Sequence, residues 1–310
     1  MTPMFTFGIY TKAGYQKMGP ERRFAGARVA YNLLRVGDNP APEDVRAFED
    51  ICITLRTANG TFRTTFRNRF RDVDAAAIRW MERFHGTAPV IRIQDRAASN
   101  GLTSAEWAQS LFEHFPAVEF EASDLLVELL ELSRGTGESW IAEPNGTLLQ
   151  YIGPPFVVSL HHPESWRNPL LRWVAARARK RFANYPRDEY RVRPISCIHP
   201  EARALCKTNP AFRVVVRSVF DHTAGACHVL RTMNILNLSY FSREQLAEAA
   251  SAAFDSLRPG GIWIVGRTRE EDFSNHATLF RRGENAWEPL ERIGNGSEIE
   301  EVALAGRVTA

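Results

Sequence analysis

The chain has 310 residues, with 39 Lys and Arg against 36 Asp and Glu, a net charge of +3. That length suits one large α/β domain, or one domain with a smaller part, and so balanced a charge gives no sign of a nucleic-acid surface. No apolar run reaches the length of a membrane span, the N-terminus lacks a signal peptide's apolar core, and Cys52, Cys197, Cys206 and Cys227 form no close pair. The expectation is a cytoplasmic protein with reduced thiols, no metal, and neither nucleic-acid nor membrane partners.

Residues 1–70 read as an N-terminal helical appendage. Tyr10, Tyr15 and Tyr31 lie in its first half, Asn39–Pro42 breaks the pattern, and Pro42 opens a helix with acids in its first turn. Such an appendage either folds over a substrate or packs as structure. A helix over Val73–Phe84 then delivers the chain to the stretch Val90–Gly101, VIRIQDRAASNG. Here a strand ends at Asp95, and the small residues Ala97, Ala98, Ser99, Asn100 and Gly101 follow. The spacing of Leu102, Trp107, Leu111 and Phe115 predicts a helix over Leu102–Phe115. Strand, tight turn and helix together present backbone N–H groups to an anionic ligand.

A second strand, Ala117–Ser123, ends at Asp124. This acid suits either a ligand's hydroxyl groups or the N-cap of a helix over Leu125–Leu132. Residues 135–190 form an insertion into the main domain, which is assigned to 71–134 and 191–310. The insertion holds a hairpin turning at Asn145-Gly146, the pair His161–His162, and an Arg-rich helix. It reads either as a lid or substrate wall or as padding, with Arg172, Arg177, Arg179, Lys180 and Arg181 as a solvated face in the latter case. The main sheet resumes from Arg191. A helix, HPEARALCKTN, precedes a strand over Phe212–Phe220, and a further strand over Cys227–Ile235 carries Asn234 at its end. Ser242 caps a helix that runs to Leu257, Arg258-Pro259-Gly260-Gly261 stops it, and Gly261–Thr268 is an apolar strand. HATLFRRGENAWEPLERI is then a hairpin closing the sheet.

Asp95, Ala97, Ser99 and Gly101 fall in the register of acid-x-Gly-x-Gly-x-Gly. The loop thereby resembles motif I of the class I S-adenosylmethionine-dependent methyltransferases. Phe212–Thr268 resembles their motifs IV to VI, with a strand, an amphipathic helix, the turn Leu257-Arg258-Pro259-Gly260-Gly261 and an apolar strand. NILNLSYF is similar to the corresponding stretch of the chemotaxis-receptor enzymes. The likeness spans about 73–293. It implies a Rossmann-like α/β sheet, mostly parallel with an antiparallel C-terminal hairpin and helices on both faces, and S-adenosyl-L-methionine as cofactor.

Carried over residue by residue, the resemblance implies cofactor contacts from Asp95, Ala97, Ser99, Asn100, Gly101, Asp124, Leu125, Ser218, Val219, Phe220, Met233 and Asn234. Asp124 would hold the ribose hydroxyls. Asn234 and His161 are the candidate catalytic residues, and Tyr10, Tyr15, His162, Asn237 and Tyr240 the candidates to touch a small-molecule methyl acceptor bearing a hydroxyl, carboxyl or amine. A homodimer is compatible with this reading. The chain departs from the family pattern in three places: Ala97 and Ser99 replace glycines, Ser218 stands where many relatives have an acid, and Met233-Asn234 replaces the chemotaxis enzymes' Arg-Asn. Two other readings stay open, a protein of this fold that binds the cofactor without turnover and a dinucleotide oxidoreductase. The loop lacks the Gly-x-Gly-x-x-Gly of the latter.

Overall fold

The computed structural model describes residues 9–11, 36–37, 40–54, 63, 65–135, 137–153, 156–160, 169–184 and 189–306. In chain order the elements are β1 (Ile9–Thr11), α1 (Pro42–Thr54), α2 (Arg71–His85), β2 (Ile91–Arg96), α3 (Leu102–His114), β3 (Val118–Asp124), β4 (Glu128–Arg134), β5 (Glu138–Ala142), β6 (Leu148–Gly153) and β7 (Phe156–Ser159). There follow α4 (Pro169–Ala183), β8 (Arg191–Ser196), α5 (Pro200–Thr208), β9 (Phe212–Val216), β10 (Cys227–Met233), α6 (Arg243–Ser256), β11 (Leu257–Thr268), β12 (Asn275–Arg282), β13 (Trp287–Ile293) and α7 (Glu300–Ala305). The chain divides into two units, Phe66–Leu125 with Glu201–Ala310, and Met1–Thr65 with Leu126–Pro200. Among the described residues no helix is long and apolar enough to cross a membrane.

The first of these units holds a seven-stranded sheet in the order β13-β12-β11-β10-β2-β3-β9. The five strands from β9 to β11 run parallel, and β12 and β13 are antiparallel to their neighbours, so the expected Rossmann-like sheet with a C-terminal hairpin is present. Alternation along β10 sends Leu230 into a core with α6, α7, Trp263, Phe280 and Trp287, while Arg231 turns to the opposite face, against Trp107 of α3. Helices therefore cover both faces. Ser242 caps α6 in a reciprocal box: its hydroxyl accepts from the Gln245 N–H and the Gln245 side chain accepts from the Ser242 N–H. Gly260, at φ +76°, supplies the left-handed residue of the Arg258–Gly261 bend.

Beneath the sheet's α3 face lies a buried ion cluster. Arg231 pairs across the ladder with Asp95 on β2, donating from Nε to Oδ1 at 3.0 Å and from Nη2 to Oδ2 at 2.6 Å. Its Nη1 donates to Asp74 on α2 at 2.5 Å, and Ser104 Oγ adds a donor to Asp95 at 2.6 Å. The guanidinium carbon lies 4.3 Å from the Trp107 ring centre and 5.1 Å from that of Phe70. The cluster ties α2, β2, α3 and β10 together just below the carboxyl ends of the parallel strands.

The other unit is a six-stranded antiparallel sheet, β1-β7-β6-β5-β4-β8. The Asn145-Gly146 hairpin is present between β5 and β6, with Gly146 at φ +89°. Trp140, Tyr151, Val158 and Tyr190 pack with Val174 and Ala178 of α4, and Trp140 Nε1 donates to the Ala178 carbonyl at 3.2 Å. Of the helix's basic residues, Arg172 and Arg177 are exposed, while Arg179 donates to the Leu160 carbonyl and Arg181 to Glu138. At the unit's two ends, Glu128 on β4 pairs with Ser196 on β8, and the Cys197 N–H donates to the Val127 carbonyl at 2.9 Å.

Three expectations are corrected here. Leu125–Leu132 is not a helix, because ELLELSR pairs on both edges, with β5 and β8, and buries Leu129. Arg191–Ser196 does not resume the main sheet; it pairs with β4, and the main sheet resumes only at Phe212. The strand beginning at Phe212 ends at Val216, where the chain turns through Ser218–Asp221.

Burial raises the Asp74 carboxyl from 3.8 to about 7, against the pull of Arg231. Between those values the unfolded chain ionises while the folded protein keeps the proton, so this group's stabilisation is present at low pH and is lost as pH rises. Asp74→Asn keeps a polar partner for Arg231 but cannot titrate. Urea unfolding across pH 4–7 should therefore show wild type losing stability relative to Asp74→Asn, by up to about 1.4 kcal/mol per pH unit. A difference constant across this range would mean that Asp74 is ionised throughout.

Candidate functional site

In a sheet wound outward in both directions, ligands bind beyond the carboxyl ends of the strands where the winding reverses. Here β2 leads to β3 and β9 on one side, and β10 to β11 on the other, so the reversal lies between β2 and β10. The residues there are 96–101, Asp124, 217–223 and 233–241.

The loop after β2 has alternating left-handed backbone: φ is +59° at Ala97, +57° at Ser99 and +77° at Gly101. These are the three positions at which the motif calls for glycine. Left-handed backbone costs an alanine or serine about 1–2 kcal/mol, so the loop keeps a glycine's shape without the glycines. Its internal bonds hold it: Ala98 N–H donates to the Ser123 carbonyl and Gly101 N–H to the Ala98 carbonyl, both at 2.9 Å, and Leu102 N–H donates to Asn100 Oδ1 at 3.0 Å. Asn100 is fully buried, and its Nδ2 has no hydrogen-bond partner among the described residues. Gly101 heads α3 without a side-chain cap, and the first turn of α3 carries no acid. The helix therefore presents an uncompensated positive end.

Asp124, at the tip of β3, accepts the Ser99 N–H on Oδ2 at 2.8 Å. With no helix following, it caps none, and its carboxylate is joined to the strained loop. Leu125 beside it is 62 % exposed. Asp95 is placed otherwise. It is 2 % exposed, and both its oxygens are engaged by Arg231 and Ser104, so its work lies below the loop.

After β9, Ser218 N–H donates to Asp221 Oδ2, and Phe220 N–H donates to Ser218 Oγ. Val219 is buried, and Phe220 meets Phe241 edge-on at 5.4 Å. Arg96 secures this segment from the end of β2. Its Nη1 donates to the Asp221 carbonyl at 2.7 Å, and its Nη2 to Gln94, Thr223 and Ser256 at 2.8–2.9 Å. With the Val219 carbonyl, 3.5 Å from Nη1, all five partners are neutral oxygens, and burial lowers the Arg96 pKa.

Beyond β10, Met233 is buried and Asn234 is left-handed at φ +62°. Asn234 Oδ1 accepts the Thr268 N–H at 2.7 Å, fixing the amide against β11. Asn237 is buried and serves its own turn, accepting from Ser239 and Tyr240 N–H and donating to the Ile235 carbonyl. Tyr240 is 48 % exposed. Tyr10 lies in β1 by its backbone, while Tyr15, His161 and His162 lie outside the described residues.

The structure thus brings Ala97–Gly101, Asp124, Ser218–Phe220 and Met233–Asn234 to the ends of adjacent parallel strands. Sequence reasoning missed Arg96, Thr268 and the Arg231 cluster. One signal was available, since an arginine inside an otherwise apolar central strand demands a buried partner.

No family model matches the chain, and no curated protein sequence matches it. Solved structures similar to it include the methyltransferase domain of the citrinin polyketide synthase, at 14% identity and a TM-score of 0.34, matched over 74% of this chain and 41% of that one. An O-methyltransferase family protein from Burkholderia thailandensis is similar at 12% identity and a TM-score of 0.33, over 82% and 53% of the two chains. An amino pentose methyltransferase from Micromonospora echinaspora, with S-adenosylmethionine bound, is similar at 11% identity and a TM-score of 0.32, over 76% and 81%. This chain spans less than half the length of the first of these.

Proposed function

We propose that the chain binds S-adenosyl-L-methionine at the end of β2 and catalyses transfer of its methyl group to a hydroxyl, carboxyl or amine of a small molecule. One observation carries this reading: three alternating left-handed residues, Ala97, Ser99 and Gly101, with the middle one's N–H held by Asp124, where the sheet's winding reverses. Strain of this kind persists only where the surroundings enforce it, and it clusters at ligand sites.

The residues fit the cofactor. Small side chains from Ala97 to Gly101 permit close backbone approach, and the uncapped start of α3 suits the carboxylate of its amino-acid end. The buried Asn100 Nδ2 is a polar donor awaiting an acceptor. Asp124 offers a charged acceptor to the ribose hydroxyls, and Val219 with Phe220 an apolar bed to the adenine. When bound, the cofactor supplies a methyl group already activated on a sulfonium. The protein's task is to align the acceptor and exclude water. Asn234, its amide oxygen fixed by Thr268, orients an acceptor through its amide nitrogen and takes no proton.

Isothermal titration with S-adenosylmethionine, S-adenosylhomocysteine and NAD tests the reading. The two adenosyl ligands should bind and NAD should not; tight NAD binding alone would favour an oxidoreductase. Gly101→Val should abolish adenosyl binding in a protein whose circular dichroism remains folded. Asp124→Ala removes the Ser99 partner as well as the ribose acceptor, so melting temperature and affinity should both fall, the affinity about a hundredfold. Asp124→Asn still accepts the Ser99 N–H. It should hold its melting temperature while affinity drops, and unchanged affinity there would show that Asp124 is only a loop brace.

The strained positions give a separate check. Glycine in an ordinary position costs about 0.5–1 kcal/mol, but at Ala97 and Ser99 it relieves about 1–2 kcal/mol of left-handed strain. Ala97→Gly and Ser99→Gly should therefore be neutral or stabilising in urea unfolding, and a loss of 1 kcal/mol or more would contradict the strain.

A further inference from the structure

A second group of side chains lies one residue away from Asn234, and the adenosyl site leaves it unused. Thr268, whose N–H holds Asn234, accepts a hydrogen bond on Oγ1 from Arg69 Nε at 3.0 Å. Asn275 accepts the Thr268 hydroxyl and donates to the Arg69 carbonyl and to Asp72. The Arg69 guanidinium is thus fixed at the carboxyl end of β11, two hydrogen bonds from the tip of β10. It lies 5.1 Å from the Phe66 ring centre and 5.5 Å from that of Phe70.

Phe273 completes the group. Its ring meets Phe66 edge-on at 5.6 Å and is nevertheless 65 % exposed. Its backbone is left-handed at φ +57°, a strained state for a bulky residue. The turn enforces it: Arg269 N–H donates to the Ser274 carbonyl, Phe273 N–H to the Arg269 carbonyl, and both Ser274 N–H and Oγ donate to Asp272. A turn that spends strain to hold an aromatic ring in water, beside a fixed arginine at the end of the sheet, has the form of a ligand subsite.

Resting on the methyl-transfer reading, we propose that Arg69, Phe66 and Phe273 form the acceptor subsite, and that the acceptor is a carboxylate carried on a flat apolar body. Arg69 takes the carboxylate, Phe66 and Phe273 flank the body, and the reacting group reaches toward Asn234. A guanidinium matches a planar carboxylate in charge and shape. A dianionic phosphate would bring twice the charge to Arg69 beside a turn whose acids Glu270, Glu271 and Asp272 outnumber its one arginine, Arg269. Burial lowers Arg69 to about 10, with Glu270 acting the other way.

The test is ligand-observed NMR and titration on the full chain, with para-hydroxybenzoate, para-hydroxybenzamide, tyramine and phenyl phosphate as probes. The benzoate should bind about tenfold or more tightly than the amide, which keeps its shape but is neutral and has a donor in place of one acceptor oxygen, and more tightly than tyramine or phenyl phosphate. Arg69→Gln should erase the preference for benzoate over amide, Arg69→Lys should restore part of it, and Phe273→Ala should weaken benzoate and amide alike. Neither Arg69→Gln nor Phe273→Ala should change the affinity for S-adenosylhomocysteine, and circular dichroism verifies that each variant is folded. Equal binding of benzoate and amide, a preference that survives Arg69→Gln, tighter binding of the phosphate, or no binding of any probe overturns the proposal. Failure of wild type to bind S-adenosylhomocysteine removes the methyl-transfer reading instead, because the probe preference is measured without cofactor.

Discussion

Arg231 and Asp95 sit opposite each other on adjacent central strands, and much of the surrounding architecture answers to that pairing. An arginine buried between a sheet and its covering helices must be matched in charge, hydrogen bonding and shape together. Asp95 matches it as a fork, Asp74 reaches in from α2, and Trp107 and Phe70 lie within reach of the guanidinium. Removing one partner from such a cluster typically costs about 3–5 kcal/mol. The cluster fixes where α2 and α3 lie against the sheet, and with them Gly101 at the head of α3 and Arg69 just before α2. The loop and the aromatic group therefore share one foundation.

Above that foundation, a ring of polar contacts sets the ends of the strands. Arg96 ties β2 to the segment after β9, Asp124 ties β3 to the loop after β2, and Thr268 ties β11 to the tip of β10. The Asp124 and Thr268 ties join neighbouring strands by a side chain where the backbone ladder stops, and Arg96 reaches past β3 to do the same. Strained residues then appear where these ties hold the chain: Ala97, Ser99 and Asn234. A site built this way is ordered before any ligand arrives, which lowers the entropy lost on binding.

The sequence announced much of this. Apolar periodicity located α2, α3 and α6, the Ser242 cap and the Asn145-Gly146 turn did as turn chemistry dictates, and the small residues of 97–101 marked the loop. Leucine-rich ELLELSR misled, because leucine favours helices and only pairing on both edges makes this segment a strand. Asp95 misled in another way, since an acid at a strand end looks alike whether it faces a ligand or an arginine from the next strand. The partner lies 136 residues away in sequence, and no local pattern connects them. Phe273 was illegible for a different reason: its exposure depends on a local turn whose shape Asp272 and Ser274 impose only once folded.

The pairing of Glu128 with Ser196, together with the Cys197–Val127 bond, bears on how the chain folds. β3 and β9 are hydrogen-bonded neighbours, yet five of the six strands of the antiparallel sheet are spelled out between them. Were that stretch slack, joining β3 to β9 would mean closing a very long loop. Because the intervening sheet draws its own two ends together, the span to be closed shrinks by two to three halvings, roughly 1.5 kcal/mol of closure entropy. The antiparallel unit thereby acts as a splint, and a chain in which it forms first reaches the parallel sheet by a shorter search.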